Sequence, residues 1–234
     1  MIAVTFALET ESRDFERCLR RAPGPRGLPA IRTASGWREI VVFYTGMGFE
    51  RTRERLPRLF ESHCVEWVMS AGYAGGLDPA LPAGALVLAE NGSDPKLLAS
   101  ARSILKERAC TGLLATSTQM QETREAKARL AKATGAIAVD METEAIAREC
   151  RDRGVPLLSL RVISDAAGEE LPVPFSVCFD AVQERPRIGA LLLFLACRPW
   201  RVRRFVKFAR TAGRARKRLA AALLEVAEMM NVEC

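Results

Sequence analysis

Three acidic side chains stand at or just past the ends of short apolar runs: Glu11, Glu142 and Asp165. In an open α/β sheet ligands bind outside the carboxyl ends of the strands, so residues there carry more functional weight than residues within a strand. Carboxylates far apart in the chain but gathered by folding can divide general acid, general base and charge-stabilising work among them. Two glycine-rich segments, Gly46-Met-Gly48 and Gly72-Tyr-Ala-Gly-Gly76, would let backbone amides approach a ligand closely. Gly46-Met-Gly48 lacks the third glycine and the acidic partner of a dinucleotide fingerprint. His63 falls at the end of a predicted helix and reads as structural. Seven scattered cysteines with no C-x-x-C pair predict a reducing cytoplasm and no structural metal, and no cofactor is expected.

The elements that must position these residues follow from hydrophobic periodicity. Apolar or β-branched runs at 2–8, 40–45, 65–71, 85–89, 113–116, 137–139 and 157–163 predict strands. Segments 11–21, 49–62, 95–108, 122–134 and 142–153 place apolar residues three and four apart and predict helices. The alternation predicts an α/β fold with a mostly parallel or mixed sheet covered by helices. Proline and glycine mark loops at 23–29 and 168–174. Segments 8–12, 46–49, 72–77 and 164–168 then lie just past strand ends. At 234 residues the chain reads as one domain, 1–234. Its apolar start runs straight into Glu9 and Glu11 and reads as a first strand rather than a leader.

The net charge of +7 is unevenly spread. Residues 185–224 hold twelve Lys and Arg and no acid, which leaves the remainder mildly acidic. Residues 185–230 read as a basic helical C-terminal extension. Within it the apolar run 188–197 is about half the length needed to span a bilayer. Val202, Phe205, Val206, Ala209 and Ala212 follow helical spacing on one side, opposite Arg203, Arg204, Lys207, Arg210, Arg214, Lys217 and Arg218. That segregation predicts peripheral contact with an anionic membrane; the alternative is a helix packed on the core with a solvated basic face. No interleaved aromatic platform is present, so nucleic acid is not an expected partner.

Five segments, in order, carry a resemblance: Ala7-Leu-Glu-Thr-Glu11, Thr45-Gly-Met-Gly48, Ala71-Gly-Tyr-Ala-Gly-Gly-Leu77, Ala138-Val-Asp-Met-Glu-Thr-Glu-Ala145 and Val155-Pro-Leu-Leu-Ser-Leu-Arg-Val-Ile-Ser-Asp165. Together they resemble the nucleoside phosphorylase and nucleosidase superfamily, nearest its methylthioadenosine nucleosidase branch. The resemblance implies a central mixed, partly barrel-like sheet flanked by helices, a dimer or larger ring, and cleavage of a purine N-glycosidic bond. It implies that Asp165, its pKa raised by burial or by Ser164, protonates the purine N7. It further implies that Glu142 accepts from the ribose hydroxyls, Glu11 deprotonates water, and Met141 lines the sugar pocket. Gly46, Gly48, Gly72 and Tyr73 would border the substrate; Glu9 and Asp140 would be supporting charges. Tyr73 stands where the family often has Ser, and Met120 falls where an aromatic residue stacks on adenine in the methylthioadenosine branch.

Glu11 and the lack of phosphate-binding arginines favour hydrolysis over phosphorolysis, with Arg161 read as structural. The tail and Thr134-Gly-Ala-Ile-Ala-Val-Asp-Met-Glu142 look like the hopanoid-associated branch, which removes adenine from adenosylhopane. The alternatives are a methylthioadenosine or adenosylhomocysteine nucleosidase, a phosphate-dependent purine nucleoside phosphorylase, or a non-catalytic nucleotide-binding protein.

Overall fold

A computed structural model describes residues 1–21, 29–33, 36–180 and 183–230. Residues 23–28 of the loop expected at 23–29 lie outside them. The elements run β1 (Ile2–Phe6), α1 (Glu9–Arg21), β2 (Ala30–Thr33), β3 (Gly36–Tyr44), α2 (Phe49–Arg55), α3 (Pro57–Ser62) and β4 (Trp67–Gly76). Next come β5 (Leu86–Ala89), α4 (Pro95–Leu105), β6 (Ala109–Gly112), β7 (Leu114–Thr116), α5 (Arg124–Thr134), β8 (Ala138–Asp140), α6 (Thr143–Asp152) and β9 (Leu157–Asp165). The chain continues through α7 (Phe175–Cys178), β10 (Phe179–Asp180), β11 (Arg185–Pro186), α8 (Ile188–Ala196) and α9 (Pro199–Met229).

The expected strands and helices are present. The helix expected over 49–62 divides at Leu56, because Pro57 supplies no backbone N–H and instead opens a new helix. β2 and β6, each four residues long, were not foreseen. Neither carries a run of apolar residues long enough to register as a strand.

The sheet is mixed, in the order β2-β3-β1-β4-β9-β5-β6. β1 lies parallel to β3 and β4, and β4 parallel to β9, while β2 and β5 pair antiparallel with their neighbours. The sheet branches along β4. β1 pairs with residues up to Ser70, whereas Gly75 and Gly76 farther along take up β8, which in turn carries β7. Residues 72–76 therefore lie within β4 and not past its end, because pairing to β8 and β9 extends the strand through them.

Side-chain alternation on the central strands loads both faces. Ile2, Val4 and Phe6 of β1 join Phe15 and Leu19 of α1, Leu97 and Leu105 of α4 and the end of α9 on one side. Ala3 and Val68 face Leu56, Leu59, Ile146 and Cys150 on the other. α9 is divided in character. Its first half is mostly exposed, whereas Leu219, Leu223 and Val226 of its second half are buried against β1, β4 and β9. Burial of that end follows from composition, since Leu219-Ala-Ala-Ala-Leu-Leu has nothing polar to present. No described helix is long and apolar enough to cross a membrane.

The second half of α9 is thus core. Leu223→Ala should cost about 2–5 kcal/mol in equilibrium unfolding, the range for truncating a fully buried leucine, while exposed Val206→Ala should change stability by less than about 0.5 kcal/mol.

Candidate active site

The site is built over a buried ion pair. Arg161 of β9 and Asp140 of β8 approach to 2.9 Å with both side chains almost wholly excluded from solvent. Arg161 also donates to the Ser70 carbonyl at 2.8 Å, Ser70 Oγ at 2.9 Å and Thr143 Oγ1 at 2.8 Å. A buried guanidinium is tolerable only when its donors are satisfied, and here protein groups satisfy them. Asp140 also accepts from Thr143 N at 3.2 Å, which caps α6 from three residues upstream. Asp140 is therefore a buried partner and helix cap. Glu9, the other residue expected to support the acids, is exposed in the first turn of α1.

Because Asp140 caps the helix, Glu142 is released from that task although it occupies the N-cap position. Its Oε1 accepts from Gly48 N at 2.6 Å. Burial, followed by the neighbouring Asp140 charge, pushes the Glu142 carboxyl up to about 8. Gly48, at φ +90°, and Gly46, at φ +77°, form the turn that presents this amide. The positive φ at Gly46 is what favours glycine there, and a Cβ would also push aside the ends of the Glu184 and Arg55 side chains, 2.6 Å and 2.7 Å away. Glu184 holds the outside of this turn through Arg51, Arg55 and Met47 N.

Glu11, in the first turn of α1, folds back over its own helix start. Its carboxylate accepts from Ala7 N at 3.1 Å, Leu8 N at 3.3 Å and, across the sheet, Tyr73 N at 3.2 Å. Burial raises its pKa and outweighs those amides and the Arg161 charge, which act in the opposite direction. A carboxylate raised in this way is better matched to accepting a proton near neutral pH. Gly72 lies directly behind it, where a Cβ would stand 3.3 Å from Glu11 Oε2.

Asp165 ends β9 at a bulge. Ala74 pairs with Ile163 and Gly75 with Asp165, so Ser164 is the additional residue. A bulge re-aims the side chains beside it. Ser164 Oγ donates to Asp165 Oδ1, and the other carboxylate oxygen pairs with Lys127 of α5. Lys127 was not anticipated. Its one sequence signal is a place on the α5 stripe with Leu130, Ala131 and Thr134, which a lysine-rich helix conceals.

Glu11, Glu142, Ser164 and Asp165 all line one cavity of about 290 Å³, close to the lower end of the usual small-molecule range. Tyr73 and Met141 form its walls beside the acids, and Gln119, Met120 and Gln121 contribute a third edge. Gly46, Gly48 and Gly72 do not face it; they stand behind the carboxylates and position them. Much of the remaining lining is apolar: Leu171, Val173, Phe175 and Cys178, and Phe205 and Phe208 of α9. Tyr73 links β4 to α9, since its hydroxyl donates to the Ala212 carbonyl of α9 at 2.9 Å. The face that α9 turns toward the cavity is thus Phe205, Phe208 and Ala212, whereas Val202 and Val206, read on one apolar stripe with Phe205 and Ala212, are exposed.

Residues 91–226 match the model of the phosphorylase superfamily. The chain belongs to this superfamily. Among curated relatives it is 27% identical to the 5'-methylthioadenosine/S-adenosylhomocysteine nucleosidase of Bacillus cytotoxicus, over 76% of this chain and 91% of that one. With the corresponding enzyme of a Marinomonas species it shares 26% identity over 59% and 73%. Two solved structures share its fold. The futalosine hydrolase of Helicobacter pylori superposes with a TM-score of 0.67 at 20% identity, covering 96% of each chain. The S-adenosylhomocysteine nucleosidase of Streptococcus pyogenes superposes with a TM-score of 0.70 at 20% identity, covering 99% and 97%.

The raised Glu142 carboxyl has a thermodynamic consequence. Between its ordinary value of 4.5 and about 8 the folded protein retains a proton that the unfolded chain gives up. Stability contributed by protonated Glu142 is therefore lost as pH rises through that window, and Glu142→Gln should flatten the loss by on the order of a few kcal/mol. Urea unfolding of both proteins at about pH 5 and about pH 8 measures it; Glu11, shifted in the same direction, contributes a remaining slope.

Proposed function

We propose that this chain is a purine nucleosidase that hydrolyses the N-glycosidic bond of an adenine nucleoside. The observation that carries this reading is the convergence of Glu11, Glu142 and Asp165, from three separate elements, on one largely apolar cavity. As the bond breaks, positive charge develops on the ribose and negative charge on the base. Glu11 takes a proton from the attacking water, Glu142 accepts hydrogen bonds from the ribose hydroxyls, and Asp165 delivers a proton to N7. Met141 lies against the sugar, and Gln119, Met120 and Gln121 border the base. Phosphate is not the nucleophile in this reading: no Lys or Arg is among the described residues lining the cavity, and the donors of Arg161 are engaged by protein groups. The nucleosidase names of the curated relatives agree with it.

The apolar lining of the cavity supports a large, apolar substituent on the 5′ carbon, and adenosylhopane is the substrate we favour. The tail supports delivery of such a substrate from a membrane. Ile188, Leu192, Leu193 and Trp200 of α8 and the start of α9 are more than 60% exposed, beside Arg203, Arg204, Lys207 and Arg210. Large side chains exposed at that level on a short helix mark an interaction surface, and neighbouring basic residues suit anionic headgroups at about 1 kcal/mol each. A nucleosidase for methylthioadenosine or adenosylhomocysteine is the second reading, favoured by the relatives' names.

Free adenine should be released from methylthioadenosine or a 5′-alkylated lipid nucleoside without phosphate, with the lipid nucleoside preferred in kcat/KM. A phosphate requirement, with ribose 1-phosphate as product, would contradict hydrolysis. Glu11→Gln and Asp165→Asn should each lower kcat by about 10²-fold or more with the fold intact, the usual scale for losing a positioned acid or base.

Co-sedimentation tests the membrane contact. Wild-type protein should bind anionic liposomes at low salt and release at high salt, and a variant with Arg203, Arg204, Lys207 and Arg210 changed to Gln should bind several-fold more weakly. Equal, negligible binding in every condition would return the tail to a purely structural role.

A further inference from the structure

Lys127 is 1% exposed and lies in the wall of the fold behind Asp165. Its Nζ contacts Asp165 Oδ2 and donates to the carbonyls of Ala166 and Glu169, each at 2.9 Å. Three acceptors around one amine require three protons, so the group is the ammonium and its donors are fully used. Two of those acceptors belong to the turn that follows β9, which leads into Leu171 and Val173 of the cavity wall. The turn is closed from the other side by Ala166 N donating to Glu169 Oε2 at 3.1 Å. A solvent-exposed lysine would cap such a turn at little cost. Burying one beneath a carboxylate that borders the cavity costs desolvation that only the pairing and its hydrogen bonds offset, so the two groups are bound to each other.

We propose that Lys127 is a positioning residue for leaving-group protonation: it orients the Asp165 carboxyl toward the base and compensates the negative charge that remains once the proton has gone. This rests on the nucleosidase reading above. In the step concerned Asp165, a carboxylate in the resting pair with Lys127, takes a proton from solvent as the nucleoside enters and passes it to purine N7, and the electron pair of the C1′–N9 bond passes into the base. Water oxygen bonds to C1′ while Glu11 takes its proton. The proton lost by Asp165 and the proton gained by Glu11 balance, and Lys127 keeps all three of its own. Without Lys127 the same transfer would leave an uncompensated carboxylate in a buried site. Ser164, the other donor to this carboxylate, is neutral and cannot neutralise it.

A merely structural lysine and a positioning one differ in their dependence on the leaving group. Hydrolysis of 4-nitrophenyl β-D-riboside releases a phenolate that needs no proton, whereas adenine must be protonated as it departs. Lys127→Met should lower kcat for methylthioadenosine by about 10²-fold, matching loss of the acid itself, with KM changed only a few-fold and nitrophenyl riboside turnover within about threefold of wild type. Lys127→Arg, which retains the charge, should recover part of the loss. Because removing one member of a buried pair can unfold a protein, the double variant Lys127→Met/Asp165→Asn, which has no unpaired charge, completes the comparison. Its turnover of methylthioadenosine should be no lower than that of Asp165→Asn alone, as expected of two residues acting in one step. Equal losses on both substrates by a folded Lys127→Met, unchanged adenine release, or a further 10²-fold loss in the double variant would each overturn the proposal. A wild-type protein inactive on both substrates would instead remove the nucleosidase reading on which it depends.

Discussion

The buried pair of Arg161 and Asp140 is the constraint on which the rest of the site depends. It joins β9 to β8, reaches Ser70 on β4 and Thr143 on α6, and leaves no unsatisfied donor in a region without solvent. In a low-dielectric interior a charge pair of this kind holds only in a geometry that satisfies every polar atom. The four elements it binds are those that carry or abut Glu142, Asp165 and the glycine segment behind Glu11. Two neutral residues of similar shape could pack as well, but they would not compensate the carboxylates above them.

That compensation is incomplete. The Arg161 charge lowers the pKa of both Glu11 and Glu142, and burial outweighs it in each case. Both groups are left on the proton-accepting side of an ordinary carboxylate, which suits chemistry conducted near neutral pH. Asp165 is set apart by having its own cation, Lys127, supplied by a different helix. One site thus holds carboxyl groups in distinct environments, which is how a protein assigns different proton-transfer tasks to residues of one chemical type.

α9 joins structure and specificity. Its second half is core, and loss of that packing would loosen β1, β4 and β9 together. Its first half is held over the cavity by the hydrogen bond from Tyr73 to Ala212 and contributes Phe205 and Phe208 to the apolar lining. Tyr73 also offers its backbone N–H to Glu11, so the strand that positions this carboxylate and the helix that lines the cavity meet at one residue. The half-buried Tyr73 side chain serves as this tie between sheet and helix.

What the sequence determined alone was the alternation of strands and helices, the mixed sheet and the acids at its edge. Those features are written locally: periodicity identifies which face of a segment is buried, and Glu11, Glu142 and Asp165 adjoin recognisable apolar runs. Even there pairing adjusted the result, since residues 72–76 read as a loop until β8 and β9 supplied the ladder that makes them strand. The tertiary structure alone decided the placement of Lys127 behind Asp165, Glu184 against the Gly46 turn, and Phe205 and Phe208 over the cavity. Each arises from residues 38 or more positions apart, or from the choice between two apolar stripes on one helix. The physical reason is that a side chain's local pattern states only whether it prefers to leave water. Which partner it meets there is settled when strands and helices from distant parts of the chain close around the same space, and a lysine or glutamate is buried only if that closure brings an opposite charge to it.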